Sequence, residues 1–187
     1  MGELAKIPGD REVRIYSLAT TAADAIVFLE EVGGSRLLPI WIGPVEGQAI
    51  AIKFSGIPLP RPFTHDLLLA IIQQTGYSVE KVSIDGVREN TFYATIHLKN
   101  GAGQKTIDAR PSDAIALAVR AGSPMYVSEA VFSQSQVLSK PITADDVKQF
   151  KEQLKDIKPK DIFGGIQRKP ETGAPPEKPQ DTPPGEV

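Results

Sequence analysis

Apolar and polar residues alternate from Glu12 to Leu18, with Val13 and Ile15 set against Arg14 and Tyr16. A period of two predicts a half-buried strand. Ala25–Glu31 (AIVFLEE) predicts a second strand and Arg36–Ile42 (RLLPIWI) a third, with Gly33-Gly34-Ser35 as the hairpin loop between them. At Gly43-Pro44 the period changes. Val45, Ala49 and Ile52 recur at helical spacing, Pro44 suits a first helical position, and Gly56 stops the helix. The segment Ile57-Pro58-Leu59-Pro60-Arg61-Pro62 cannot be helical, because each proline drives its predecessor toward extended backbone. A second helix is expected over His65–Thr75, with Thr64 as N-cap and Gly76 as left-handed C-cap. It is apolar almost all round, which predicts burial on both sides.

Val79–Ile84 and Thr91–Leu98 predict strands joined by a turn at Asp85-Gly86. In the second of them His97 falls on the polar, surface-facing side. Asn100-Gly101 predicts a hairpin returning as Gln104–Asp108. An alanine-rich helix then runs over Asp113–Ala121, with Ser112 as N-cap and Gly122 closing it, and Met125–Val127 makes a short strand. A last helix opens at Thr143 and runs to about Leu154. The fold class is α+β: a mixed, mainly antiparallel sheet of hairpins packed with three to four helices. One domain is expected over residues 11–163, with a core over 11–132 and a helical end over 143–163. Residues 164–187 are proline-rich with almost nothing apolar, so they are expected to be disordered.

Composition narrows the functions. At 41% hydrophobic the chain can bury a real core, and its net charge of -2 argues against gripping duplex nucleic acid by bulk charge. The absence of cysteine excludes disulfides, thiolate catalysis and zinc–thiolate sites. His65 and His97 are the only imidazoles, which excludes a three-histidine zinc site. The longest strongly apolar run, Leu67–Ile72, is far short of the roughly 20 residues that span a bilayer. Met1–Lys6 lacks the apolar run of a secretory signal, so the cytoplasm is the expected compartment and no membrane partner is expected.

Two junctions echo one another. Arg61-Pro62-Phe63-Thr64-His65-Asp66 precedes one helix, and Arg110-Pro111-Ser112-Asp113 precedes another, which suggests duplication of a strand–loop–helix unit. Helix starts expose free N–H groups and attract anions. If the junctions meet, Arg61, Arg110, Thr64 and Ser112 can hold a phosphate beside His65, Asp66 and Asp113. A purely structural reading stands beside this: hydroxyls cap helices, acids in the first turn meet the dipole, and Arg–Asp pairs lock loops. By the same reasoning Glu46 alone reads as a first-turn acid.

Several blocks in order carry a family resemblance: Leu38-Pro39-Ile40-Trp41-Ile42-Gly43; Glu46 with Ala49-Ile50; Arg61-Pro62-Phe63-Thr64-His65-Asp66-Leu67; Thr91-Phe92-Tyr93-Ala94; and Asp108 through Ala118. Over about Arg11–Val131 the chain resembles the bifunctional nuclease domain family. The resemblance implies a compact α+β fold that self-associates and hydrolyses RNA and DNA phosphodiesters. Gly47 stands where the family more often has alanine, which reads as a mild change. Carried onto this chain, the resemblance makes His65, Asp66, Asp113 and Glu46 the candidate catalytic residues, and Arg61 and Arg110 the phosphate clamps. Asp66, Asp108 and Asp113 are the candidate ligands for Mg²⁺ or Mn²⁺, hard ions that take oxygen ligands. Single-stranded or flexible nucleic acid is the expected partner, with Tyr93 as an exposed aromatic for stacking. Two other readings remain: an oligomeric module that binds a phosphate-bearing ligand or protein partner, and a salt-bridge lock with no ligand.

Overall fold

The computed structural model describes residues 9–21 and 23–140. The helix expected from Thr143 and the tail expected to be disordered lie outside the described residues. The elements run β1 (Asp10–Thr20), β2 (Ala25–Glu31), β3 (Arg36–Ile42), α1 (Pro44–Phe54), α2 (Thr64–Gln74), β4 (Ser78–Arg88), β5 (Thr91–Asn100), β6 (Gly103–Ala109), α3 (Pro111–Ala121), β7 (Met125–Ser128), α4 (Glu129–Gln134) and β8 (Leu138–Ser139). The eight strands form one sheet in the order β6-β5-β4-β7-β1-β2-β3-β8. Neighbours pair antiparallel except β4 and β7, which run parallel. The α+β class with a mixed, mostly antiparallel sheet is thus observed.

Strand alternation sorts side chains onto two faces. Val13, Ile15, Val27, Leu29, Leu38, Ile40, Val82, Ile84, Ile96 and Val127 share the face under the helices and join Ile50, Ile115 and Leu117 in the main core. Each such aliphatic side chain contributes roughly 1.5–3 kcal/mol by leaving water. Phe28 and Leu37, fully buried, sit on the other face with Tyr16, Ile26 and Leu138 around them.

α3 is the sandwiched helix, not α2. Its Ala114, Ile115, Ala116, Leu117 and Ala118 are all buried, since small side chains let it lie against the sheet with α1 and α2 alongside. The α2 N-cap Phe63 and the α2 residues Leu67 and Ile71 recur every four residues and are 41%, 55% and 52% exposed, so the expectation that this helix is covered on both sides fails for the single chain.

The turn expected at Asp85-Gly86 is elsewhere. β4 continues through that dipeptide with a register shift between Ile84 and Gly86, and the reversal falls at Glu89-Asn90, whose φ values are +47° and +63°. Two successive residues with positive φ suit a hairpin turn between twisted strands, and Asn tolerates that region. α4 and β8 also escaped the sequence reading. The Ser128 hydroxyl accepts from the Val131 N–H at the start of α4, and Arg36 ties that helix down through Glu129, 2.7 Å away, while lying 4.1 Å above the Phe132 ring.

Gly47 is not a mild change in this chain. A Cβ added there would lie 2.3 Å from the Cβ of Ala25, which is fully buried on β2. α1 approaches the sheet through that missing methyl. Gly47→Ala gains up to ~1 kcal/mol of helix propensity but meets a fixed backbone-borne atom, so a net loss of about 1–3 kcal/mol is expected in urea unfolding. Adding Ala25→Gly leaves 3.8 Å to the nearest Ala25 atom and should restore most of the loss.

Candidate active site

Three helix starts converge beneath one end of the sheet, and each presents a carboxylate at its third helical residue. α1 begins after Gly43, α2 after Phe63 and α3 after Arg110, which puts Glu46, Asp66 and Asp113 in equivalent positions. An acid there meets the helix dipole and can accept from the N-cap N–H. Asp66 does this, its Oδ2 accepting from the Phe63 N–H at 3.0 Å. The other two carboxylates reach across to neighbouring elements.

Thr64 is the first residue of α2 and Ser112 the second of α3, so neither is the N-cap the sequence suggested. The echo is also out of register. Arg110 is itself the N-cap of α3, whereas Arg61 lies two residues ahead of the α2 N-cap. Proline at 111 holds Arg110 in extended backbone at φ -68°, ψ 146°, which aims its side chain back over the first turn.

Arg110 donates to both oxygens of Asp113, Nε to Oδ2 at 2.8 Å and Nη2 to Oδ1 at 3.1 Å. Its Nη1 lies 3.0 Å from Glu46 Oε1. His65, only 9% exposed, places Nε2 3.1 Å from Asp113 Oδ1. A carboxylate only accepts, so Nε2 carries a proton, and the tautomer this contact selects has its lone pair on Nδ1. Burial raises the Asp113 pKa most among single causes, but the bonds from Arg110 and His65 together outweigh it and hold the carboxyl below its ordinary value. Glu46, Arg110, Asp113 and His65 therefore form one continuous chain across α1, α2 and α3.

Asp66 faces a different partner. Arg120, with a side chain only 1% exposed, donates Nε to Asp66 Oδ1 at 2.9 Å, Nη1 to the Ala116 carbonyl at 3.0 Å and Nη2 to the Ala49 carbonyl at 3.2 Å. One guanidinium thus clamps all three helices. The sequence reading missed it because a cation in a helix's last turn reads as dipole chemistry. For Asp66, burial pushes upward, and the Phe63 N–H and Arg120 overcome it, so its carboxyl also lies low.

The sequence cluster therefore divides. Arg110, Asp113 and His65 come together with Glu46. Arg61 instead borders a cleft of about 410 Å³ with Asp66, Arg120, Lys53 and the prolines at 58, 60 and 62. Ser112 borders a second cleft of about 270 Å³ beside Arg110. Asp108 leaves the group altogether. It pairs with Thr95, between neighbours Ile107 and Ala109 that pair with core residues Ile96 and Ala94, so it points to the opposite face of the sheet. Tyr93 is 40% exposed, with the Arg88 guanidinium 5.3 Å above its ring. His97 is half-buried rather than free on the surface. It shares a 2.8 Å hydrogen bond with Ser83, and burial, then the charge of Lys81, depress its pKa.

The expected metal ligands Asp66, Asp108 and Asp113 are not brought together. Asp66 and Asp113 are taken up by guanidinium groups, and among the described residues no three His, Asp or Glu side chains gather into a metal site. These residues do not fit Mg²⁺ or Mn²⁺ as arranged.

Bifunctional nuclease domains supply the family model that matches residues 27–140. The chain belongs to the bifunctional nuclease domain family. An uncharacterized protein of Mycobacterium tuberculosis is 39% identical over 162 residues, which cover 81% of this chain and 97% of that one. Bifunctional nuclease 1 of Oryza sativa subsp. japonica is 31% identical over 110 residues, 57% of this chain and 33% of its own length. Bifunctional nuclease 1 of Arabidopsis thaliana is 27% identical over 139 residues, 69% of this chain and 43% of its own. The family match spans β2 to β8, so the whole Glu46–Arg110–Asp113–His65 chain lies inside the bifunctional nuclease domain.

The two low carboxyl values carry a pH dependence. A carboxyl whose native pKa is depressed stabilises the fold above its unfolded value, here 3.8 for each Asp, and that stabilisation is lost as pH falls through the lower native values. Thermal melting should therefore fall steeply below about pH 4. The slope should flatten in an Asp66→Asn, Asp113→Asn double variant.

Proposed function

We propose that this chain hydrolyses phosphodiester bonds of RNA and DNA, with His65 as general base, Asp113 as its orienting group and Arg110 as the phosphate clamp. The observation that carries this reading is the His65 Nε2–Asp113 Oδ1 contact of 3.1 Å, with Arg110 bonded to the same carboxylate. Asp113 fixes the ring so that Nδ1 is the basic atom. Nδ1 takes a proton from water as its oxygen attacks phosphorus. The P–O ester bond breaks, and the imidazolium returns the proton to the leaving oxygen. Arg110 faces the charge that grows on the phosphoryl oxygens. Attack by water needs no 2′-hydroxyl, so it serves both RNA and DNA. A cytoplasmic setting agrees with a cysteine-free chain, and no described helix is long and apolar enough to cross a membrane.

The test is cleavage of end-labelled single-stranded RNA and DNA in EDTA, Mg²⁺ and Mn²⁺. The His65 route predicts cleavage that survives EDTA. Strict dependence on Mn²⁺ would remove that route and return the carboxylates to metal binding. No cleavage in any buffer would remove the enzyme.

One observation favours a second reading. Arg110 already meets two carboxylates, Asp113 and Glu46, so an incoming phosphate must compete with both. On this reading the chain is a lock holding three helix starts. Arg110→Ala separates the two: loss of folding with no cleavage phenotype supports the lock, and loss of cleavage in a folded protein supports the enzyme. The Phe63, Leu67 and Ile71 stripe further supports self-association of two copies through α2. Light scattering should show a smaller species for Leu67→Glu, Ile71→Glu.

A further inference from the structure

α1 ends at Phe54, and Gly56 turns the chain with φ +67° while the Ile57 N–H donates back to the Ile52 carbonyl at 3.1 Å. Pro58, Pro60 and Pro62 then lead to the start of α2. Each proline fixes φ and carries no N–H, so this loop is stiff and its wall is apolar. The loop, the end of α1 and the start of α2 enclose the cleft of about 410 Å³, whose lining also includes Ile52, Ile57 and Leu59. That volume falls within the roughly 300–1,000 Å³ of small-molecule sites, and a stiff wall lowers the ordering cost of binding.

Three cations border the cleft, Lys53, Arg61 and Arg120, against the single carboxylate of Asp66. The balance is a net of two positive charges, in a chain whose net charge is -2. Lys53 and Arg61 are exposed, and among the described residues neither makes a hydrogen bond or an ion pair. Asp66 does not pair with them, since Arg120 engages its Oδ1 and the Phe63 N–H its Oδ2. Buried Arg120 commits three of its five N–H groups, to Asp66 and to the Ala116 and Ala49 carbonyls. The Arg110 cluster has the opposite balance, one guanidinium against the carboxylates of Glu46 and Asp113. An anion competes with bonded carboxylates there, and with none at Lys53 and Arg61.

We propose that this cleft binds a phosphomonoester, with Lys53 and Arg61 on the phosphate and the group that carries it against the proline wall. A phosphomonoester holds about −1.5 to −2 charges at pH 7, which matches two free cations better than the single charge of a phosphodiester. A mononucleotide and a phosphorylated strand end share this chemistry. The site goes beyond the nuclease reading and stands without it, because its test is binding and not cleavage.

The full chain is titrated by calorimetry with adenosine 5′-monophosphate, adenosine and inorganic phosphate. Expected is one site for the mononucleotide, with inorganic phosphate weaker and adenosine at least about tenfold weaker. Lys53→Gln and Arg61→Gln should each weaken the mononucleotide about three- to tenfold, the range for one charged contact at an exposed side chain. The double variant should lose about 10- to 100-fold, and added salt should weaken wild type as well. Both side chains are exposed, so melting curves of the variants should stay close to wild type. No binding of the mononucleotide, equal binding of adenosine, or binding that survives the double variant overturns the proposal. So does binding that Arg110→Gln removes and the double variant keeps. The source of the phosphate is read by anisotropy of labelled single strands with either end phosphorylated or free, in an Asp113→Asn background so that cleavage does not confuse binding. Preference for a phosphorylated end that vanishes in the double variant supports the site and makes strand ends its ligand. A bound mononucleotide with no such preference supports the site and makes free nucleotides its ligand.

Discussion

Arg120→Ala should lower the unfolding free energy by about 2–4 kcal/mol in urea titration. Removing one partner of a fully buried ion pair costs roughly 3–5 kcal/mol, and the value is discounted here because the Asp66 side chain keeps 29% exposure and can recover some water. Three acceptors lose their donor at once: Asp66 Oδ1 and the carbonyls of Ala116 and Ala49. For a domain of this size the melting temperature should drop by roughly 10 °C. Arg120→Met fills the same space without the charge and should still lose most of this, because Asp66 stays unpaired. Adding Asp66→Asn to Arg120→Met should recover part of it. A melting curve within about 2 °C of wild type for Arg120→Ala would show that the three helices are held together without this clamp.

The second large effect falls on rate rather than stability. His65→Gln keeps a side chain of similar reach that can still donate to Asp113, but it offers no basic nitrogen. Loss of a positioned general base costs typically 10²–10⁴-fold, so kcat on single-stranded RNA and DNA should fall by about that factor. KM should change little, since Arg110 and both clefts remain. A His65→Gln variant that cleaves within threefold of wild type would assign the proton transfer to another group. A variant that fails to fold would show instead that the His65–Asp113 contact is structural, and melting curves separate these outcomes.

Much of the fold was legible because its signals are local. β2 and β3 fall on the residues that alternation and the Gly33-Gly34 turn picked out, and Gly122 closes α3 with φ +66°. The failures share a physical cause: the deciding partner is far away in sequence. Nothing near Asp85-Gly86 announces that the Asp85 carbonyl accepts from the Ser128 hydroxyl, and that β4 runs on to a turn at Glu89-Asn90. The apolar residues of α2 looked like a buried helix, yet half of that stripe faces outward in the single chain.

The site was legible as a residue set and not as an arrangement. Helix-start chemistry singled out Glu46, Asp66 and Asp113, and all three do occupy the third helical residue. Which of them would meet His65 depends on how α2 leans on α3, and no spacing encodes that. Asp108 enters the set as a carboxylate of a block that carries the family resemblance, although strand alternation places it on the opposite face. Arg120 was passed over because burial, not position, makes it a clamp.

Cleavage by Asp113→Asn tests the central claim most directly. Asparagine keeps the shape at 113 but removes the charge that binds Arg110 and orients the Nε2–H of His65. Wild type and variant, matched by melting curve, are given the same labelled single-stranded RNA and DNA. The account predicts cleavage by wild type and a loss of at least ~100-fold in the variant, with the variant still folded at neutral pH. Equal cleavage by both, or cleavage by neither, would contradict it.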